Sequence, residues 1–403
     1  MFNRKFKLLV PITLALATGS AEVNAGLIGA GSALENITVF SNTYTTTGDA
    51  AEVYGSMLVG DVVTTGANAA VYGDVESVNA ANIGGGVSTV ATDPAKTFLS
   101  GGDVTSGGVL TVGGAASSPG PLIDGNITSA GAATIGAYAQ VLGNMRSGGI
   151  ATIGANSDVF GDLDGDSVVI SASANVAGNT SSTPGGGVSS TLKADLEAKR
   201  VAAASQVNTI RATLDILADT TSVVLTPVIG DLTLVAGVYS AASLSTTAST
   251  EILLDAQGKD DQEWIFNIAD ILAIGAYHEI KIINDGANNN SSVFWNIGGT
   301  PGGGYASIGA NARFIGSIFA VDYVSVGADT WMTSAGKNTC SGIYSETSYV
   351  STGAKAVIDG NVCKTGIINP PPEQVSEPFG ILLSGLAALG FVTRRKIRAA
   401  RAS

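Results

Sequence analysis

A short phrase, Val or Ile followed by one residue and then Gly, recurs along the first half of this chain at a nearly constant spacing, and few folds accommodate that regularity. Its glycines are Gly55, Gly73, Gly125, Gly143, Gly161 and Gly178, most of them followed by Asn or Asp. Gly55 to Gly73, Gly125 to Gly143 and Gly143 to Gly161 are each 18 residues, and Gly161 to Gly178 is 17. A finer beat of six lies within it, from Ile135 to Val141, Ile153 to Val159 and Ile170 to Val176. Six residues suit one short strand and a corner, and three such units close one coil of a triangular β-solenoid. Ile135, Val141, Ile153 and Val159 then point inward and stack on their equivalents at about 4.8 Å per rung. Gly136 and Gly154 open corners where a side chain would crowd the backbone. An ordinary β-sandwich predicts no repeat of 18. A second phrase links the two halves, since Ala151 to Asn156 (ATIGAN) is echoed by Ala306 to Asn311 (ASIGAN) and by Val324 to Asp329 (VSVGAD) one coil further on.

Composition agrees. The 403 residues include 53 glycines, only 13% are charged and 6% are aromatic, a mixture too apolar for disorder and too varied for collagen. Arg4, Lys5 and Lys7 precede the apolar run Leu8 to Ala17, and small residues follow as far as Ala25. That order predicts an export signal over 1–25. At the other end Pro370, Pro371 and Pro372 form a stiff spacer over 366–378. The apolar stretch Phe379 to Val392 and the cations Arg394, Arg395, Lys396, Arg398 and Arg401 follow within 379–403. The stretch is short for a full span, and its flanking cations mark a cytoplasmic side. Loss of both ends leaves 12 cations against 32 anions, a poor match for nucleic acid. In an oxidising compartment Cys340 and Cys363, the only cysteines, are best read as one disulfide; ligation of a metal by the two thiols is the alternative.

Between the two repeat regions, 26–190 and 219–365, lies the one clear helical pattern, over 191–218. Ser190 or Thr191 caps it, and Leu192, Leu196, Ala203, Val207, Ile210, Leu214 and Leu217 recur at helical spacing. From Leu192 to Leu217 it would extend about 39 Å, close to eight rungs, so it fits along one flank of the solenoid.

Two resemblances follow from particular residues. Ser376-Glu377-Pro378, the apolar stretch and the basic cluster resemble the Pro-Glu-Pro carboxy-terminal sorting signal of Gram-negative bacteria, with Ser376 in place of the first proline. The resemblance implies handling by an exosortase-type enzyme, transient contact with the inner membrane, and a place at the cell surface or in the extracellular matrix. Gly230-Asp231-Leu232, Gly237 to Ser240, Leu254 to Gly258, Trp264 to Ile268, Val293-Phe294-Trp295 and Gly316 to Ala320, in that order, resemble the bacterial and fungal ice-binding family. The match covers about Leu192 to Gly360. It implies a mainly β, discontinuous solenoid with one long helix alongside, and ice as a ligand. Residues before the helix exceed the family's usual amino-terminal part; they are further coils of the same solenoid or a separate adhesive module.

Ice recognition requires a flat, rigid, weakly charged surface bearing small hydroxyl and methyl groups in register. The outward residue just before each inward Ile or Val offers such a ladder: Thr134 and Thr152, then Ser307 and Ser325, with Ser351 extending it and Thr352 in the apolar place. Exposed Ser and Thr are also ordinary strand residues. A structural or adhesive matrix protein with an exopolysaccharide partner is the second reading. Enzyme chemistry finds little support. His278, the only histidine, alternates with Ile280 and Ile282 in a strand, and no acid and nucleophile pair stands out. Asp162, Asp164 and Asp166 lack the glycine and closing glutamate of a calcium loop, so no cofactor or metal is expected.

Overall fold

The computed structural model describes residues 33–360 apart from 35, 86–98, 101, 119, 299–302 and 337–340. Short strands make triangular coils with three walls, and every strand pairing is parallel. The first and second walls belong to one 25-stranded sheet, joined where Met145–Ile153 and Leu163–Ile170 run through the corner; the third wall is a separate 13-stranded sheet.

Rungs stack in an order the chain does not follow. Val39, Phe40 and Ser41 pair on one side with Met57, Leu58 and Val59, and on the other with Ile343, Tyr344 and Ser345. The last coil therefore lies directly beneath the first, and both repeat regions share one axis. This seam closes all three walls, through Thr45↔Val350 on the second and Val53↔Ile358 on the third. Coils from residue 37 onward climb from the seam to Thr180–Ser182. Helix α1, Leu192–Thr221, then returns the chain to the far end, where Val223–Val224 starts the coils that climb back to the seam. Residues before the helix are thus further coils of the same solenoid, not a separate module.

The spacing of 18 holds between Met57 and Val75, Ile127 and Met145, and Met145 and Leu163. It widens to 29 between Val75 and Val104 and between Phe266 and Trp295, and to 23 between Trp295 and Ile318. The paired strands stay in register across these longer coils, so the inward columns continue. The phrase itself is a corner. Its Asn or Asp, at Asn156, Asn311 and Asp329, adopts φ of 57°, 58° and 55°, the left-handed conformation these residues tolerate best. The Asn or Asp that follows the other repeated glycine builds a second ladder. Asn126 Oδ1 accepts the Asn144 N–H at 2.9 Å, Asn144 Oδ1 that of Asp162 at 2.8 Å, and Asp162 Oδ1 that of Asn179 at 2.8 Å.

Helix α1 has 30 residues, about 45 Å or some nine rungs. Ala203, Val207, Ile210 and Leu214 are buried against Ile265, Phe294, Phe319, Tyr344, Phe40 and Leu58 on the outside of the first wall. Val207, Ile210 and Leu214 so buried each contribute about 1.5–3 kcal/mol. Since those partners come from both sides of the seam, the helix clasps the two halves together. The predicted start at Thr191 fits, although its hydroxyl bonds Asp195 Oδ2 at 2.8 Å and makes no bond to the backbone. Inside, Trp295 stacks on Phe266 at 4.0 Å and donates its indole N–H to the Ile315 carbonyl.

Candidate functional site

The three walls differ sharply on their outer surfaces. The first is covered by α1. The third carries Glu52, Asp158, Glu251, Glu279, Lys281 and Arg313 on its strands, with Lys281 3.3 Å from Glu251 and 3.5 Å from Glu279. Among the described residues nothing covers the second wall, and its two outward columns carry no charged side chain.

One column unites every predicted binding residue. Ser307 stacks on Ser325 and Ser325 on Ser351; across the seam Ser351 stacks on Thr46, whose hydroxyl lies 3.3 Å from that of Ser351. Thr46 leads to Thr64, Thr64 to Asn82 and Asn82 to Thr111. Thr111 leads to Thr134, and Thr134 to Thr152. Below Ser307 the column continues through Ala273 and Ser245 to Val228. Thr352 does occupy an inward place, 5% exposed. Thr46, Thr64, Asn82 and Thr111 escaped the sequence reading because irregular corners hide their coils and because Thr45 and Thr47 take the apolar places around Thr46. A signal was present: each stands two residues before a glycine, Gly48, Gly66, Gly84 or Gly113, as Thr134 stands before Gly136.

Beside this ladder runs a second outward column, two residues earlier in each strand. It rises from Ile271, which pairs with Tyr305, through the stacked rings of Tyr305, Tyr323, Tyr349 and Tyr44, with ring centroids 4.6, 4.9 and 4.6 Å apart. Above the seam it continues as Val62, Ala80, Val109, Ala132 and Ile150; Val109 and Ile150 are each 50% exposed. Rungs about 4.8 Å apart and residues about 3.3 Å apart along each strand make the wall a regular grid. Threonine adds a methyl group and a stiff χ1, and the hydrogen-bonded backbone beneath fixes its height.

Other candidates resolve into structural roles. His278 is fully buried, with Nδ1 2.9 Å from Thr250 Oγ1. Because the Thr250 hydroxyl donates to the Thr247 carbonyl at 2.7 Å, the imidazole proton sits on Nδ1 and points at that oxygen. Nε2 is then a bare, buried acceptor with no partner. Burial pushes the pKa down from 6.5 to about 4, against the opposing pull of Asp231 and Glu251. The folded value lies below the unfolded one, so between pH 6.5 and 4 the unfolded chain binds more protons and stability declines as the pH is lowered. We expect about 3 kcal/mol to be lost by pH 4 from this group. Urea unfolding of the His278→Gln variant should lack that portion of the pH dependence. Asp164 accepts from the Ser181 hydroxyl, and Asp166 Oδ1 from the Gly185 N–H at 3.3 Å. Among the described residues no group of three or more His, Cys, Asp or Glu is arranged to hold a metal, and no helix is long and apolar enough to cross a membrane. The export signal, Cys340 and Cys363, the motif Ser376-Glu377-Pro378 and the apolar tail lie outside the described residues.

A family profile described as ice-binding-like matches residues 145–358, more than half of the chain. Over 134 residues the chain is 31% identical to Ice-binding protein 1 of Shewanella frigidimarina, a match covering 33% of this chain but 14% of that protein, so this chain spans only a small part of that relative. Among solved structures, a domain of Shewanella frigidimarina ice-binding protein 1 aligns at 17% identity and a TM-score of 0.43, covering 81% of this chain and 95% of that one. A glycosylated ice-binding protein from an Arctic yeast aligns at 14% identity and a TM-score of 0.43, covering 89% and 100%. The coiled wall architecture, the flanking helix and the match over residues 145–358 lead to one statement: the chain belongs to the ice-binding-like family.

Proposed function

We propose that this chain is an exported, non-enzymatic protein that adsorbs to ice through its second wall. One observation carries the reading. Of the three walls, this one alone is neither covered by α1 nor charged, and its hydroxyl ladder crosses the seam without interruption. Charged groups hold hydration water tightly and are costly to strip, whereas small hydroxyl and methyl groups on a rigid grid allow ordered water to merge with a lattice. Thr134, Thr152, Ser307, Ser325 and Ser351 belong to this surface in the proposal, and the family membership and the relative's name support ice as the ligand. The terminal segments fit secretion through the signal at 1–25 and retention at a Gram-negative cell surface or matrix by exosortase handling of the tail, with a disulfide between Cys340 and Cys363 closing the fold.

Purified protein is expected to reshape growing ice and to inhibit recrystallisation. Thr152→Tyr, which lifts a bulky ring above the grid, is expected to remove most of the thermal hysteresis. Thr233→Tyr, at an exposed position on the third wall, should leave it unchanged. A folded protein that leaves ice unaffected while retaining exopolysaccharide would refute the proposal in favour of a matrix-binding role.

A further inference from the structure

We infer that the stacked tyrosines Tyr305, Tyr323, Tyr349 and Tyr44 form a raised ridge that narrows the proposed surface, leaving the rungs from Thr64 to Thr152 above the seam in contact with ice and Ser307, Ser325 and Ser351 out of its reach. This rests on the proposed ice-binding role and assigns it to coils that lie largely upstream of the segment matching the family.

The ring geometry carries the argument. Interplanar angles of 11°, 2° and 7° at centroid spacings of 4.6–4.9 Å mean that the rings stack along the solenoid axis. Rings so close cannot lie flat on the sheet without overlapping, so each stands on edge, with its plane across the axis. Side chains on a strand stand roughly perpendicular to the sheet, and the tyrosines therefore rise well above the serines beside them. A planar lattice resting on that ridge would not reach Ser307, Ser325 or Ser351.

Above the seam both columns change together. The tyrosine column becomes Val, Ala, Val, Ala and Ile, and the neighbouring column becomes mostly threonine. Val matches threonine in size, Ala is smaller and Ile only one carbon longer, so the two columns stand at nearly the same height, as a crystal plane requires, with Val109 and Ile150 each 50% exposed beside the threonines. Serine, by contrast, lacks both the methyl group and the restricted χ1 of threonine. The ridge is thus a specificity-determining boundary, separating a flat half-wall from one that is uneven.

The test uses the whole exported protein. Replacing all four tyrosines with valine lowers the ridge while keeping strand-compatible side chains. It is expected to raise thermal hysteresis about twofold, because contact strength scales with the apolar area brought into register. Replacing the same four with phenylalanine keeps the stack and its height, and should leave hysteresis at the starting level. Thermal unfolding midpoints accompany each measurement, so that a misfolded variant is recognised; in that event single Tyr323→Val and Tyr349→Val variants are read instead, with a smaller gain expected. An unchanged or reduced hysteresis in folded valine variants would overturn the ridge while leaving ice binding intact. Absence of any effect on ice by the unaltered, folded protein would instead remove the proposed function and this inference with it.

Discussion

Gly136→Ala is expected to destabilise the protein by about 4 kcal/mol or more, the exceptional end of single substitutions, whereas Gly230→Ala should change stability by no more than about 0.5–1 kcal/mol. The two changes add the same atom. At Gly136 the new Cβ would lie 2.3 Å from the Gly114 nitrogen, 2.5 Å from its Cα and 2.6 Å from the Gly113 carbonyl carbon. All three are backbone atoms of the adjacent rung, so no side chain can swing aside. Relief requires parting the rungs, which breaks the bond from the Gly136 N–H to the Val112 carbonyl, now 2.8 Å. At Gly230 nothing lies within 4 Å of the added atom. Chemical denaturation of both variants provides the measurement. A small cost at Gly136 would mean that the corners are loosely stacked and that the repeat of glycines has another cause. Because Thr134 lies two residues before Gly136, the variant also tests the rigidity of the binding grid, and its folded fraction should lose hysteresis.

Those corner glycines explain why so much of the fold was legible in the sequence. A stacked corner tolerates almost no other residue, so ATIGAN, ASIGAN and VSVGAD survive as text at three corners, although Tyr138, Tyr277 and Lys355 hold the left-handed place at others. The helix was legible because Ala203, Val207, Ile210 and Leu214 must face one wall. Thr134, Thr152, Ser307, Ser325 and Ser351 could be aligned by their phrases within each half, but their union depends on the seam, where Val39 meets Ile343 across some 300 residues of chain. No local pattern encodes that pairing. The tyrosine ridge was hidden for the same reason, since Tyr44 joins Tyr349 only through the seam. Coil length was the weaker inference: the uniform period of 18 fails between Phe266 and Trp295, which pair 29 residues apart.

Arg211 was equally invisible, being a cation on the buried stripe of an otherwise ordinary amphipathic helix, and its replacement is expected to have the second largest effect. The side chain is 7% exposed. One guanidinium nitrogen lies 2.5 Å from Glu346 Oε2, and the other donates to the Gly298 carbonyl. Asn208, a turn earlier on α1, donates to the remaining carboxylate oxygen at 2.8 Å. Glu346 directly follows the rung beneath the seam, so this network fastens the helix where the two halves of the solenoid meet. Arg211→Met would leave a largely buried carboxylate without its cation and a carbonyl without its donor, at a cost of about 3–5 kcal/mol. Glu346→Gln would strand the guanidinium instead. If the pair acts as a unit, the double variant Arg211→Met with Glu346→Gln should be less destabilised than the two single losses combined, with a coupling of about 1–3 kcal/mol in urea unfolding. Strict additivity would show that the ion pair is incidental and that apolar packing alone holds the helix. Since α1 covers the first wall and the candidate face is the second, ice activity per folded molecule should survive all three changes, separating what secures the scaffold from what meets the ligand.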